Sequence, residues 1–116
     1  MTNIYVAGKD MNRAQAVMKD LIAGGHSITY DWVSQMHTGP TAEKALNEAT
    51  ALRTADLLVY LWEADQESAR YEAGMAMGLE KKIVVSGNSD AFFFQLPFIY
   101  CVESDTEILQ KVNKLA

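Results

Sequence analysis

Glu72 lies in the segment Ser68-Ala-Arg-Tyr-Glu-Ala-Gly-Met-Ala-Met-Gly78, which is otherwise rich in small residues. The segment reads as a helix that starts about one turn before Glu72, at the carboxyl end of an apolar run. A carboxylate in that place can attack a sugar carbon as a nucleophile. It can equally be a surface glutamate on a helix packed through small residues, and the pattern alone favours this ordinary role. The positive end of the helix is expected to favour its ionised form. Glycine inside a helix costs about 1 kcal/mol against alanine, so Gly74 and Gly78 call for a packing or close-approach reason. A second group of chemistry-bearing residues follows Gly8. Lys9 and Arg13 lead into a helix whose free amides can hold a phosphate. The stretch GKDMNR is neither a P-loop nor GxGxxG, and a solvated helix start is the plain alternative.

The elements that must position these groups alternate along the whole chain. Ile4–Gly8 reads as a buried strand, and Ala14, Val17, Met18, Leu21 and Ile22 as one face of a helix ended by Gly24-Gly25. A second strand is expected at about Ser27–Val33 and a loop over Ser34–Pro40. Thr41 is a plausible N-cap for a helix with Ala42, Ala45, Leu46, Ala49 and Leu52 on one face. Asp56–Trp62 is apolar throughout after its first residue, as a central parallel strand should be. The helix 68–79, a strand at Lys82–Ser86 and another at Phe98–Val102 follow. Ser104 and Glu107 form a capping box for a last helix with Ile108, Leu109, Val112 and Leu115 inside. This order predicts an α/β fold, a flavodoxin-like or Rossmann-like three-layer sandwich. Its five parallel strands would run in the order 2-1-3-4-5, as a single domain over residues 1–116. Ligands on such a sheet bind at the carboxyl ends of strands 1 and 3. That places 8–13 and 63–72 at the ligand edge.

Composition bounds the function. The 116 residues carry ten Lys and Arg against fifteen Asp and Glu, a net charge of −5. A broad surface for duplex nucleic acid is not expected, although a local cationic pocket is allowed. Cys101 is the single cysteine, and no Cys/His cluster has metal-ligand spacing. No metal and no cofactor is expected. MTNIYVAGKD shows no signal-peptide pattern and no apolar run is long enough for a membrane span, so a cytoplasmic domain is expected. Cys101 reads as a buried small hydrophobe, Asp56 as a cap and His26 as a turn residue. His37, in the Gly/Pro loop, and Asp31 are weaker candidates for the ligand edge. Phe92-Phe-Phe94 is unusual for a loop and suggests an interface or a lid.

IYVAG, GGHSITYDW, ADLLVYL and EAGMAMGLEKKIVV together resemble the nucleoside 2-deoxyribosyltransferase-like family, which includes 2′-deoxynucleoside 5′-phosphate N-hydrolases. The likeness runs over nearly the whole chain, including FFFQLPFIYCVESDTEIL. It implies that Glu72, sixteen residues after Asp56, is the nucleophile. It implies that Glu48, eight residues before Asp56, orients the sugar or protonates the base, and that Tyr5 positions Glu72. The block Glu72, Gly74, Ala76 is intact. Three departures accompany it: the family has Asp where Glu48 stands, Gln66 holds the position six before the nucleophile, and Ser68 and Arg70 replace frequent glycines. Arg70 either contacts a phosphate or narrows the pocket. Trp32 or Tyr30 stacks on a base, or packs at the sheet edge. Gly8, Lys9, Arg13, Gln66 and Ser68 complete the substrate contacts. The implied function is cleavage or transfer at the N-glycosidic bond of a 2′-deoxynucleoside or its 5′-monophosphate, by a homodimer or larger assembly. The alternative is a non-catalytic nucleotide sensor or sequestering protein on the same fold.

Overall fold

The computed structural model describes residues 2–39 and 41–116, the side chains of 36–38 excepted. Pro40 and the His37 side chain, both part of the predicted loop, lie outside the described residues. Five strands, β1 (Asn3–Ala7), β2 (Ser27–Ile28), β3 (Leu57–Leu61), β4 (Lys82–Ser86) and β5 (Ile99–Val102), form one parallel sheet in the order β2-β1-β3-β4-β5. Four helices, α1 (Met11–Ala23), α2 (Ala42–Thr54), α3 (Ser68–Gly78) and α4 (Ile108–Leu115), cover it. α1 packs with α4, and α2 with α3. The expected architecture and strand order are therefore found.

The sheet forms where apolar runs are continuous. Every residue of β3 is buried, as are four of the five in β1 and in β4. Strands covered on both faces lose water from both sets of side chains, at about 25 cal/mol for each Å² of apolar surface. Helix starts follow the capping residues. Asp10 accepts from the Arg13 amide at 3.1 Å, and Thr41 from the Lys44 amide at 3.1 Å. The Glu107 carboxylate reaches back to the Ser104 amide at 3.1 Å, completing the expected capping box. Asp56 accepts from the Asn3 amide at 3.0 Å, which is the capping role its position suggested. His26 accepts from the Thr2 amide at 3.2 Å through Nδ1 and meets Asn113 at 2.7 Å through Nε2, tying the turn after α1 to α4.

Three expectations need correction. β2 is only two residues long and does not reach Val33. Ser27 and Thr29 donate to Thr2 and Ile4, so residue 31 would be next to donate to Val6. The Trp32 indole N–H takes that carbonyl instead, at 2.7 Å. The chain turns away at once and runs as a 3-10 helix over Val33–Thr38, where a loop was expected. Second, Ile22 and Leu46 are not on buried faces: they are 57% and 65% exposed. Third, Gly74 and Gly78 have nothing within 4 Å of where a side chain would begin, so no neighbour inside the chain explains them.

Glu80, just past the end of α3, holds a left-handed backbone with φ of 53°. That conformation costs a non-glycine residue about 1–2 kcal/mol. Glu80→Gly is therefore expected to stabilise the fold by about 1 kcal/mol and to raise the melting temperature by a few degrees. A lower melting temperature would show that Glu80 makes a compensating contact.

Candidate active site

Tyr5 sits on β1 between β2 and β3 and is fully buried. Side chains alternate along a strand, so Tyr5 points to one face of the sheet and Ile4 and Val6 to the other. The Tyr5 face is the one that α2 and α3 cover, because its phenol meets a carboxylate from each helix. The phenol donates to Glu72 Oε2 in a short hydrogen bond, and lies 3.2 Å from Glu48 Oε1. Ala69, Ala73 and Ala76 are buried on the inner side of α3. Their small size lets the helix sit close to the sheet, which brings Glu72 within reach of the phenol. Glu72 itself is 7% exposed. Three residues separated by up to 67 positions are thus brought together in one cluster.

The electrostatics differ from the expectation based on the helix end. Burial pushes the Glu72 carboxyl up to about 8 from its ordinary 4.5. The Tyr5 hydrogen bond opposes this, and the charge of Glu48 adds to it. Water removal is the largest cause, and it favours the neutral form. The Tyr5 phenol is raised far above its usual range, first by burial and then by the two carboxylates. It stays protonated and acts as a donor.

Above this cluster opens a cavity of about 770 Å³ at the carboxyl ends of β1 and β3. Glu48 and Glu72 line its floor. Gly8, Lys9, Trp32, Gln66 and Ser68 also line it, so five of the six residues proposed for substrate contact are gathered here. Each has a physical reason for its place. A side chain at Gly8 would begin 3.2 Å from Leu61 Cβ, so the chain passes close to β3 there. Trp32 is held by Val6 as a buried wall of the cavity. Gln66 accepts from the Tyr60 hydroxyl at 2.9 Å and donates to the Leu61 carbonyl at 2.7 Å, which fixes the loop before α3. Ser68 opens α3.

Arg13 does not line the cavity. Its guanidinium binds Asp105 through Nε at 2.7 Å and Nη2 at 2.9 Å, and donates to the Trp62 and Ser86 carbonyls at 2.9 and 3.2 Å. It bolts α1 to the ends of β3 and β4, and its hydrogen bonds, with one from Ser86, hold the Asp105 carboxyl below its usual range. Lys9 is at the rim but pairs with the Asp65 carboxylate at 2.8 Å and the Asp65 carbonyl at 2.9 Å. Arg70 turns away from the cavity, to the Glu63 and Ala64 carbonyls at 3.1 and 3.3 Å. Tyr30 and Asp31 are not among the lining residues.

Sequence reasoning missed Lys44, Asp65, Glu67, Tyr71 and Met75, which also line the cavity. Lys44 was findable, since it precedes Glu48 by one helical turn and shares its face. Among the described residues, no helix is long and apolar enough to cross a membrane.

Neither a scan of protein-family models nor a search of curated proteins returns a match. Among solved structures, the chain resembles the Clostridium botulinum CMP N-glycosidase BcmB, with a TM-score of 0.70. The match covers 98% of this chain and 99% of that one at 14% identity. At that identity the likeness shows the fold, and shows it end to end.

The Glu72 shift sets a pH dependence of stability. The folded chain holds a proton between pH 4.5 and about 8 that the unfolded chain releases. Stability is therefore fully present below pH 4.5 and is lost as the pH climbs through about 8. Thermal melts should fall in temperature from pH 5 to about pH 8, and Glu72→Gln should flatten that slope. A variant with the same slope as the parent would remove Glu72 as its source.

Proposed function

We propose that the chain cleaves or transfers across the N-glycosidic bond of a nucleoside or its 5′-monophosphate, with 2′-deoxynucleosides as the first candidates. The observation that carries this reading is the pair of carboxylates on one buried phenol, at the floor of a cavity large enough for a nucleoside. The resemblance to the nucleoside 2-deoxyribosyltransferase-like family supports it. So does the end-to-end fold likeness to a protein named as a CMP N-glycosidase.

In this reading Glu72 lies beneath the anomeric carbon. As the bond to the base breaks, the sugar becomes an oxocarbenium-like cation. The Glu72 carboxylate stabilises that charge and traps it as a covalent sugar ester. Glu48 orients the sugar hydroxyls or gives a proton to the departing base. Tyr5 holds Glu72 in place and, as a donor, favours its ionised form. Trp32 offers an aromatic wall to the base. Water or a second base then releases the sugar from Glu72, giving hydrolysis or transfer.

A homodimer or larger assembly belongs to the same proposal. Tyr71 and Met75, which border the cavity from α3, and Leu79, just past its end, are 66%, 44% and 49% exposed, near the open Gly74 and Gly78. Phe92 and Phe93 are 81% and 59% exposed, while Phe94 packs edge-on against Tyr60 with ring centres 6.2 Å apart. A second copy seated here would cover these residues. Light scattering at micromolar concentration should give a dimer or larger species, and a monomer would count against it.

Catalysis is tested by following free base, by chromatography, across nucleosides and their 5′-monophosphates. Glu72→Gln should lower turnover by at least about a hundredfold, the scale of a lost positioned catalytic group. Unchanged turnover would remove Glu72 from the chemistry, and ligand binding without any base release would favour a non-catalytic sensor.

The pH profile separates nucleophile from acid. A nucleophile must be ionised, so kcat/KM should rise with pH through an inflection near pH 8 and level off above it. Glu48→Gln removes a neighbouring charge and should move that inflection down. Tyr5→Phe removes the hydrogen bond that favours the carboxylate and should move it up. A falling limb whose inflection moves in these same directions would make Glu72 the acid.

A further inference from the structure

Three helix starts border the cavity: α2, α3 and α1, whose approach Gly8 and Lys9 line and whose first turn is capped by the Asp10 carboxylate. At the start of α3 the amides of the first turn face a place already bordered by acids. Glu67 immediately precedes the helix and lines the cavity with Asp65. The nearby ammonium, Lys9, is engaged by the Asp65 carboxylate and carbonyl. At the start of α2, Thr41 takes the Lys44 amide, and the Lys44 ammonium donates to the Gln35 and Gly39 carbonyls at 2.5 and 2.6 Å. Both lining ammonium groups are thus already hydrogen-bonded, Lys9 to a carboxylate and Lys44 to two carbonyls. Among the described residues, Arg13 and Arg70 at this end of the sheet are committed outside the cavity. Among the described lining residues, four carboxyl groups stand against two ammonium groups.

A 5′-phosphate brings a charge of about −1.5 to −2 at neutral pH. It would have to compete with the Asp65 carboxylate for Lys9 and share Lys44 with two carbonyls, and would approach an excess of carboxyl groups. An uncharged nucleoside meets neither cost. We propose that this site selects nucleosides over their 5′-monophosphates, and that Asp65 and Glu67 set the preference by repelling the phosphate and by occupying Lys9. The proposal rests on the N-glycoside reading for its ligand class. It extends that reading, which left the phosphorylation state open, and it differs from the substrate in the name of the structural neighbour.

The test is a binding measurement, so that it does not depend on turnover. Calorimetry on the parent chain uses cytidine, 2′-deoxycytidine and the other common nucleosides, each beside its own 5′-monophosphate. The tightest nucleoside should bind about tenfold or more better than its monophosphate, the scale of one or two unfavourable charge contacts near a surface. That ratio should shrink as salt screens the charges. It should also shrink in the double variant Asp65→Asn, Glu67→Gln. A monophosphate that binds as well as its nucleoside overturns the proposal, as does a failure of every nucleoside to bind at millimolar concentration. A ratio unchanged in the double variant overturns the role of Asp65 and Glu67. Base release is followed in the same samples. Preferential nucleoside binding with no release upholds the preference and defeats the catalytic reading, so the two failures are told apart.

Discussion

Tyr5 and Glu72 are buried, and the partly buried Glu48 joins them at the floor of the cavity. In such a space two negative charges a few ångströms apart are expensive, and one phenolic proton cannot neutralise both. The cluster therefore depends on where its members are held. Tyr5 is fixed by the middle of the sheet, with β2 on one side and β3 on the other. Glu48 and Glu72 come from two helices that must lie on the same face and at the right height. The alanines inside α3 set that height. A larger side chain at Ala69, Ala73 or Ala76 would lift the helix and separate Glu72 from the phenol.

The same constraint explains what was legible in the sequence. Continuous apolar runs and helical spacing suffice for strands and helices, because burial on both faces leaves few other arrangements. The strand order followed from the match of five alternating strands to the flavodoxin-like arrangement. The length of β2 was not legible, because it turns on one indole N–H competing for the Val6 carbonyl. No periodicity records such a competition. The position of Glu72 near the start of a helix was legible, but its proton affinity was not. The helix field is a local property, whereas desolvation depends on how the whole chain packs around the side chain.

Charge at the ligand edge was the least legible feature. Arg13 and Lys9 look like phosphate ligands when read in order, each a cation beside a glycine and a helix start. Arg13 finds Asp105, 92 residues away, and Lys9 finds Asp65, 56 residues away. Both partners are brought in by the parallel sheet, whose crossovers return every strand end to the same edge. That geometry makes the edge a good place for a site. It also gathers there charges that can neutralise each other before any ligand arrives.

The cavity and the outer face of α3 belong to one helix, and this would couple the proposed catalysis to covering. Anything that seats over the cavity, substrate or second copy, removes more water from Glu72 and makes its charged form less favourable still. A nucleophile in such a place is poorly stabilised in the empty site and in the bound ground state. In the proposed reaction it gains its counter-charge only when the sugar becomes cationic. Interactions that strengthen only at that point lower the barrier, whereas those already present with bound substrate do not. The buried carboxylate, costly for folding at neutral pH, is therefore well placed for bond cleavage. The phenol beneath it limits that cost enough for the fold to keep it.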